Sequence, residues 1–384
     1  MNNRQRTLAI LNYETYDRMP IVHFGYWHET LDLWAEQGHV TLQEAQAWAD
    51  GNQVDLAIGR RLGFDFNWAS HYSPEILLRP PIEGRVIEVL PDGSRKELNE
   101  DGAIVLLKPD AHGIPQELDH LLKGRSGWEE IYKPRLMYSA ARISESTVNT
   151  PQGAIDYADG GLEYMQESAW DSPFGLFCGS LYGKIRNWLG LVGSAYLQVD
   201  DPLLFDEMIE TVGELAYQCV KGALAAGVRL DTGHFWEDIC FNKGPLINPQ
   251  VFREKVGPHY ARITGLLNDA GIKLISVDCD GKIDALVPIW LENGVNVMFP
   301  IEVGTWRASI EPWRREYGRE LRGVGGMDKK VFALDYAAID GEIERLKPLV
   351  DLGGYIPCPD HRLAPDARWE NVQYYCDVMR RVFG

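Results

Sequence analysis

The second half of the chain alternates short apolar runs with longer amphipathic stretches. The stretches that end near Gly271 and Gly294 have helical periodicity and stop at glycine, a common helix terminator. The runs between them lack polar–apolar alternation, which is typical of parallel strands buried on both faces. These runs are VRLDTGH from Val228, IKLISVDCD from Ile272, VNVMFPIE from Val295, ELRGVGGMD from Glu320 and GYIPCPD from Gly354. This alternation of apolar runs with helical stretches predicts a parallel sheet whose strands are connected by helices.

The first half repeats this pattern more loosely. MPIVHFGYW from Met19 predicts a first strand, and FGLFCGS from Phe174 predicts a later one. Residues 76–110 differ, because the strand-like runs RVIEVLPDGSRKEL from Arg85 and GAIVLLKP from Gly102 come with the turns Pro91-Asp92-Gly93 and Asp101-Gly102, which favours a β-hairpin insertion. Without repeats or long linkers, residues 1–384 are expected to form one α/β domain, a single (β/α)8 TIM barrel.

Composition and charge narrow the classes of partner. The 384 residues are 45% hydrophobic and 24% charged, as in ordinary globular proteins. A net charge of −18 disfavours nucleic acids and anionic membranes as partners. No apolar run of 18 residues occurs and the start lacks a signal peptide, so we expect a cytoplasmic protein. Six cysteines without C-x-x-C spacing favour free thiols over an iron–sulfur cluster or zinc ribbon.

Ionisable residues end the five apolar runs. In a closed parallel barrel the carboxyl ends of the strands share one rim, where active sites are built. Any one of these residues could simply cap a helix, but their recurrence on five strands predicts a common pocket. The residues are Asp231, His234, Asp278, Asp280, Glu302, Asp328, Asp360 and His361.

Aromatic residues flank several of the same strand ends. Aromatic walls with a few polar groups suit a methoxylated ring or a quaternary ammonium group. The simpler alternative is that these side chains pack loops onto the barrel. The candidates are Tyr26, Trp27, Trp68, Trp236 and Trp306, with His23 at the end of the first strand.

Several common catalytic motifs are absent from the sequence. We find no phosphate-binding G-x-x-x-x-G-K-[ST] loop, no H-E-x-x-H helix and no G-x-S-x-G elbow. A corrinoid-binding D-x-H-x-x-G signature is also missing, so any cobamide would have to be carried by another protein.

Motifs along most of the chain resemble the uroporphyrinogen decarboxylase (URO-D) superfamily, in the branch of URO-D-like proteins related to corrinoid-dependent methyltransferases. They are DRMPI from Asp17, WEDICFNKGPLINPQVFREKVGPHYARI from Trp236, LENGVNVMFPIE from Leu291, REYGRELRGVGGMDK from Arg315 and GGYIPCPDHRLAPDARWENV from Gly353. The resemblance implies a TIM barrel and one of two activities. These are cofactor-free decarboxylation of uroporphyrinogen, and methyl transfer with corrinoid proteins, usually assisted by zinc. It also implies a homodimer.

Uroporphyrinogen decarboxylation is disfavoured by the residues at the rim. The substrate carries eight carboxylates, and the family places arginines just after the first strand to bind them. The corresponding segment here, HFGYWHETL from His23, contains no arginine. An acidic pocket would also repel a polyanion, and the acidic residues expected at the rim are Asp231, Glu237, Asp238, Asp278, Asp280, Glu302 and Asp360.

Under the methyl-transfer hypothesis, the expected metal ligands of this chain differ from those of related enzymes. Related thiol-methylating enzymes present H-x-C at one strand end and a further cysteine at the last strand. Alignment on the following glycine puts Asp278 at the histidine position and Asp280 at the cysteine position, with Cys279 on the other side of the strand. The resemblance therefore implies zinc or another divalent metal held within the set Asp278, Asp280, Glu302, Cys358 and His361. The alternative is a metal-free site in which a protonated carboxyl acts as general acid.

The first functional expectation is a methyltransferase component of a corrinoid-dependent system, of O-demethylase type. It would move a methyl group between a small methoxylated or methylamine-like substrate and a separate corrinoid protein. Two alternatives stay open: a cofactor-free decarboxylase or other lyase acting on a different small carboxylic acid, and a non-catalytic ligand-binding barrel. The expected catalytic residues are Asp280, His361, Asp278 and Glu302. The expected substrate-binding residues are His23, Tyr26, Trp27, Trp68, Asp231, His234, Trp236 and Asp328.

Overall fold

A computed structural model describes residues 1–109, 115–167 and 170–384 as a mixed α/β structure. The strands in these ranges are, in chain order, β1 (Val22–His23), β2 (Phe66–Asn67), β3 (His71–Tyr72), β4 (Arg85–Val89), β5 (Arg95–Leu98), β6 (Ala103–Leu107), β7 (Gln116–His120), β8 (Thr147–Thr150), β9 (Gly153–Asp156), β10 (Gly175–Phe177), β11 (Thr232–Trp236), β12 (Cys240–Phe241), β13 (Gly244–Pro245), β14 (Leu274–Asp278), β15 (Val297–Ile301), β16 (Arg322–Met327) and β17 (Tyr355–Pro359).

Helices separate most of these strands and surround the main sheet. They are α1 (Asn3–Leu11), α2 (His28–Glu36), α3 (Leu42–Ala47), α4 (Gln53–Leu62), α5 (Arg125–Gly127), α6 (Ala141–Ser144), α7 (Leu162–Glu167), α8 (Gly183–Asp200), α9 (Pro202–Ala225), α10 (Pro249–Val251), α11 (Gly257–Asp269), α12 (Val287–Glu292), α13 (Val303–Trp306), α14 (Ile310–Tyr317), α15 (Tyr336–Asp351) and α16 (Trp369–Phe383). None of the helices in the described ranges is long and apolar enough to cross a membrane.

The main sheet contains seven strands in the order β17-β16-β15-β14-β11-β10-β3, and all of its pairings are parallel. The predicted parallel sheet is therefore confirmed, and its last five strands overlap the five apolar runs. Every residue of β14, β15 and β17 is buried, because helices cover one face of the sheet and side chains fill the other.

A separate parallel pair, β1 and β2, adjoins the two edges of this sheet. Only three residues separate β2 from β3, the strand at one edge. At the other edge, the segment after β1 meets the segment after β17 through a parallel bridge between Tyr26 and Leu363. The amide of Trp27 donates to the carbonyl of Leu363 at 3.1 Å, and the amide of Leu363 donates to the carbonyl of Gly25 at 3.1 Å.

The helix that precedes β11 shows how local sequence sets an element. Asp201 caps α9, accepting a hydrogen bond from the amide of Leu204 at 3.0 Å, and Pro202 occupies the first helical position. The buried face of α9 carries Leu204, Met208 and other apolar residues that pack in the core. Its 24 residues return the chain to the amino end of β11.

The insertion is larger than the predicted β-hairpin. It is a four-stranded antiparallel sheet in the order β4-β5-β6-β7, in which β4, β5 and β6 contain the predicted runs and β7 is an additional strand. Residue 110 lies outside the described residues. Two contacts anchor the sheet: Lys184 Nζ lies 2.9 Å from Asp101 Oδ2, and the Tyr132 hydroxyl donates to the Asp101 carbonyl at 3.0 Å.

Candidate functional site

Three aspartates meet where β11 and β14 end, and we refer to them as the acidic triad. Asp278 ends β14, Asp280 follows two residues later, and Asp238 follows β11 by two residues. The strands pair with Trp236 opposite Asp278, so their carboxyl ends coincide. One carboxylate oxygen from each of Asp238, Asp278 and Asp280 lies within 4.8 Å of the other two. At φ 50°, Asp238 adopts a left-handed conformation that is uncommon for a non-glycine residue.

Asp278 is the most isolated member of the triad. Its side chain is 7% exposed, and its carboxylate accepts no hydrogen bond from any residue in the described ranges. Burial raises the pKa of Asp278 well above its ordinary value, and the carboxylates of Asp238 and Asp280 raise it further. A buried carboxylate without a donor is costly, so it requires either a proton or a cation.

The other two aspartates share a hydrogen bond. The amide of Asp280 donates to Asp238 Oδ1 at 3.1 Å, while Asp280 Oδ1 is buried without a partner among the described residues. Burial, followed by repulsion from Asp280, raises the pKa of Asp238 to about 7. Arg186 and His361 act against this rise, and Arg362 acts against that of Asp278, but burial is the largest cause for both residues.

His361 and Glu302 adjoin the triad through Asp280. The Nε2 atom of His361 lies 3.1 Å from Asp280 Oδ2, and Trp27 stacks on the imidazole with ring centroids 5.4 Å apart. The Nδ1 atom of His361 is buried without a partner in the described part of the chain. Glu302 accepts hydrogen bonds from the amide of Gly281 and from the Thr305 hydroxyl, and its pKa is raised by burial and then by Asp280.

A cavity of about 330 Å³ opens beside the triad, and we refer to it as the rim cavity. Two of its walls are the imidazoles of His71 and His234, which stack with centroids 4.1 Å apart. On another side, the Lys184 ammonium lies 5.5 Å from the Trp236 ring centroid. The full lining is Ala69, His71, Ser73, Leu77, Phe177, Lys184, His234 and Trp236. Because Trp236 pairs with Asp278, the cavity and the triad occupy neighbouring positions on one rim.

A cluster of aromatic rings around Phe299 adjoins the rim cavity at His234, and we refer to this cluster as the Phe299 floor. The Phe299 ring contacts those of Phe24, Trp68 and His234, with centroids 4.5, 6.1 and 6.1 Å apart. The Nε1 atom of Trp68 is buried and has no partner within the described ranges. An apolar floor lowers the local dielectric and strengthens electrostatic effects at the triad.

The structure groups part of the residues predicted from the sequence. Asp278, Asp280, Glu302, His361 and Trp27 come together at or beside the triad, while His234 and Trp236 line the rim cavity. Glu302 and His361 are neighbours of Asp280 and are not part of the three-carboxylate group itself.

Asp231 lies at the opposite end of β11, away from the triad. It ion-pairs with Arg4 at 2.9 Å and accepts hydrogen bonds from Trp170 Nε1 at 3.2 Å and the amide of Phe174 at 3.1 Å. Asp231 therefore ties α1 to the amino end of the sheet. Asp328 likewise has a local partner, since it caps a helical turn by accepting from the amide of Lys330 at 3.1 Å.

His23 and Tyr26 are buried to one side of the rim cavity. His23 is 1% exposed, packs on Tyr26 and Phe64, and accepts a hydrogen bond from the amide of Gly25 at its Nδ1 atom. Burial lowers the pKa of His23 to about 3, so the imidazole is neutral. Tyr26 packs against Trp34 and Trp48, away from the lining of the cavity.

Cys358 does not join the triad. It is fully buried on β17, where its thiol is close enough to raise the pKa of Tyr375 on α16. Burial raises the pKa of the Cys358 thiol well above its ordinary value. All six cysteines are buried free thiols, as expected from their spacing.

Sequence patterns missed two contributors to the site, and they placed a third, Asp238, at the rim without giving it a role. Asp238 follows β11 by two residues, as Asp280 follows β14, but no motif marked the facing register of the strands. His71 lies on the two-residue strand β3, which is too short for a periodicity signal. Lys184 is on the first turn of α8, and only the fold brings it to Trp236.

The donor atoms of the triad fit a hard divalent cation. Carboxylate oxygens suit Mg²⁺, Mn²⁺ and Ca²⁺, and one imidazole nitrogen beside them is also accepted by Mn²⁺ and Zn²⁺. Asp278 has an unsatisfied buried carboxylate and Asp280 a buried oxygen without a partner, so two ligands are available without breaking hydrogen bonds. Among the described residues no set of three clustered ligands contains a thiolate, and Cys358 is not part of the triad.

Comparison with known proteins adds evidence on the fold. No model of a protein family matches the chain, and no curated protein is significantly similar to it. A solved structure of a methyltransferase from Methanosarcina mazei is similar over 99% of this chain and 98% of its own, with a TM-score of 0.57 and 13% identity. At that identity the similarity shows a shared fold.

A second solved structure is similar over a smaller share of the chain. It is a putative vitamin-B12 independent methionine synthase from Listeria monocytogenes, covering 59% of this chain and 70% of its own, with a TM-score of 0.35 and 15% identity. A TM-score this low carries no argument about fold or function.

Proposed function

We propose that the protein is a methyltransferase component built on a closed (β/α)8 barrel, with a divalent cation held by the acidic triad. In this barrel β1 and β2 close the seven-stranded sheet. The support is the Tyr26–Leu363 bridge on one side and the short β2–β3 connection on the other. The triad then lies at the carboxyl-terminal rim, where barrel enzymes place their chemistry.

One observation carries the functional proposal: a buried carboxylate, that of Asp278, faces two other carboxylates and has no donor in the described structure. Structural ion pairs would satisfy such a group, as Arg4 satisfies Asp231. A cluster of buried carboxylates with raised pKa values is characteristic of binding or catalytic sites. A bound cation would supply Lewis acidity toward a substrate oxygen.

The rim cavity supplies the substrate site in this proposal. Neutral His71 and His234, Trp236 and the Phe299 floor suit a small methoxylated aromatic or a methylamine-like compound. The methyl acceptor is the corrinoid of a separate protein. In an ether substrate the methyl carbon–oxygen bond would break, its electron pair would stay on the alkoxide or phenoxide, and the methyl group would pass to the reduced cobalt(I) corrinoid, which supplies the electron pair of the new bond. The leaving group would then take a proton. In a methylamine the bond broken would be carbon–nitrogen, and the amine would leave. His361, beside Asp280, is positioned to deliver that proton.

Metal binding is tested first by elemental analysis and titration calorimetry with Mg²⁺, Mn²⁺ and Zn²⁺. We expect one cation per chain in the wild type and none in Asp278→Asn. Asp366→Asn, which removes an exposed carboxylate, is the control and should bind like the wild type. A wild type that binds none of the three cations would reject the metal site and favour the cofactor-free lyase.

Methyl transfer is tested with methoxybenzoates and methylamines as donors and reduced free cobalamin as a substitute for the partner protein. The readout is the absorbance of methylcobalamin, with product phenol or amine measured by mass spectrometry. We expect turnover in the wild type that Asp278→Asn lowers at least 100-fold, on the order expected for loss of electrostatic stabilisation. Binding of these compounds without turnover would favour a ligand-binding barrel instead.

A further inference from the structure

One charged side chain, that of Lys184, lies in the wall of the rim cavity. Among the described residues of the lining, Lys184 alone is charged at neutral pH, because burial lowers the pKa values of His71 and His234 and keeps both imidazoles neutral. The Lys184 side chain is 18% exposed, so its ammonium group is partly shielded from bulk water. A shielded ammonium attracts an anion more strongly than one in open solvent does.

The ammonium group of Lys184 has hydrogen-bonding capacity to spare. Its Nζ atom donates to Asp101 Oδ2 at 2.9 Å, which is its single hydrogen bond to a described residue. A lysine ammonium carries three N–H donors, so two are left for a ligand. Asp101 is held in turn, because Trp188 Nε1 donates to its other carboxylate oxygen at 3.4 Å. The ion pair therefore orients Lys184 without using all of its donors.

The position of Lys184 also determines which charge the cavity accepts. Its ammonium lies 5.5 Å from the Trp236 ring centroid, within the range of a cation–π contact. A methylammonium group on the same face of Trp236 would meet the charge of Lys184 at short range and be repelled. An anion in that position would be attracted.

A second cavity continues beyond Lys184. It measures about 820 Å³ and shares Ser73, Leu77 and Lys184 with the rim cavity. The ammonium group thus lies at the boundary of two cavities, so an anion bound to it would keep part of its hydration. Partial hydration reduces the cost of transferring a carboxylate from water to the protein.

These features favour one of the two substrate classes in the proposed function, on which this inference rests. We propose that the substrate carries a carboxylate, that Lys184 binds this carboxylate, and that the methoxyl group of the same molecule faces the acidic triad. The opposite orientation would direct the carboxylate toward three other carboxylates, which repel it. Protonated methylamines are excluded by the ammonium group. Lys184 is then a specificity-determining residue, whereas the triad and its cation act on the methyl group.

The test measures binding without turnover, by titration calorimetry of the full chain with Mn²⁺ and no corrinoid. The probes are 4-methoxybenzoate, its uncharged isostere 4-methoxybenzamide and the cation 4-methoxybenzylammonium. The wild type should bind the benzoate at least about 10-fold more tightly than the other two, the order expected for a hydrogen bond between charged groups. Lys184→Gln should weaken benzoate binding by at least about 10-fold and change benzamide binding by less than about 2-fold.

Two further variants separate recognition from a structural role. Lys184→Arg keeps the positive charge and should retain the preference for the benzoate over the benzamide. Lys123→Gln removes an exposed lysine that also pairs with an aspartate, and as the matched control it should bind all three probes like the wild type. Circular dichroism and the thermal midpoint establish that each variant is folded.

Three results would overturn the inference: equal affinity of the wild type for the benzoate and the benzamide, unchanged benzoate binding in Lys184→Gln, or no measurable binding of the benzoate. Because corrinoid is absent, these results are separate from those of the methyl-transfer measurement. Selective binding of the benzoate without methyl transfer would retain the role of Lys184 and reject the proposed reaction. Methyl transfer from methylamines without a preference for the benzoate would retain the reaction and reject the role of Lys184.

Discussion

His71 and His234 stack face to face in the rim cavity, with ring centroids 4.1 Å apart and planes 11° apart. Two imidazolium ions would repel strongly at this distance, so the stack requires at least one neutral ring. Ser276 fixes the orientation of the pair, since its hydroxyl lies 2.7 Å from His234 Nδ1. A neutral wall beside the acidic triad admits an uncharged ring without adding a cation to the cavity.

We predict that both imidazoles stay neutral down to pH 5.5. Burial lowers the pKa of His71 to about 4, and burial followed by repulsion from His71 lowers that of His234 well below 6.5. Long-range ¹H–¹⁵N spectra of histidine-labelled protein between pH 8 and 5.5 report the charge state of each ring. His71→Phe retains the stack and should leave His234 neutral, because burial is the dominant cause. An imidazolium pattern for either residue at pH 5.5 would contradict the prediction.

Acid should remove stability contributed by His23. Its pKa of about 3 lies below the unfolded value of 6.5, so its contribution is complete above pH 6.5 and declines as the pH falls toward 3. From pH 7.5 to 5 the loss is about 2 kcal/mol, at about 1.4 kcal/mol per unit below 6.5. The destabilisation caused by His23→Gln should therefore shrink by about that amount over this range.

Urea unfolding at pH 7.5, 6 and 5 measures the effect on His23. His28→Gln, which removes an exposed imidazole, is the matched control. If the difference in unfolding free energy between wild type and His23→Gln does not change with pH, His23 is not a buried neutral imidazole.

Glu237→Gln should destabilise the fold by about 2–4 kcal/mol. Glu237 is fully buried and accepts hydrogen bonds from the amides of Leu181, Tyr182 and Gly183 at 2.6–3.0 Å, and from the Tyr260 hydroxyl. The side-chain NH₂ group of glutamine would point its N–H bonds at groups that are themselves hydrogen-bond donors. Chemical denaturation measures the difference in unfolding free energy between the wild type and Glu237→Gln. Glu214→Gln on α9, where the side chain is partly exposed, is the control. A change below 0.5 kcal/mol would mean that this network does not hold the loop before α8.

Without metal, Asp278→Asn should be more stable than the wild type. Because the pKa of Asp278 is raised in the folded state, its contribution is fully present below about pH 4 and is lost as the pH rises. The difference in unfolding free energy between Asp278→Asn and the wild type should increase between pH 5 and 8 by at least about 1 kcal/mol. Thermal unfolding in EDTA measures this difference, and added Mn²⁺ should stabilise only the wild type. Equal stabilisation of the variant by Mn²⁺ would place the cation elsewhere.

Much of the sheet could be predicted from the sequence, because buried parallel strands appear in it as uninterrupted apolar runs. The sequence also predicted that the side chains of Asp278 and Asp280 point to one side of the strand and that of Cys279 to the other, since alternate residues of an extended chain share a face. The side to which Cys358 points could not be predicted in this way. β17 is buried on both faces, so its sequence does not distinguish the interior from the helix layer.

The remainder of the site depends on tertiary relationships. Strand β7, QELDH, is polar and largely exposed, so the last strand of the insertion has no hydrophobic signature. Asp238 joins the triad because β11 and β14 are in register, and Lys184 reaches the cavity because α8 begins at the rim. Neither relationship leaves a local pattern.

The insertion sheet touches the rim through Asp101, which binds Lys184 at 2.9 Å, while the acidic triad is built wholly from segments following β11 and β14. None of the described residues of this sheet lines the rim cavity, and the Asp101–Lys184 ion pair connects the sheet to a residue that does. Under the proposed function, a substitution at Asp101 would therefore act on the substrate site through the position of the Lys184 ammonium and would leave the carboxylates of the triad in place.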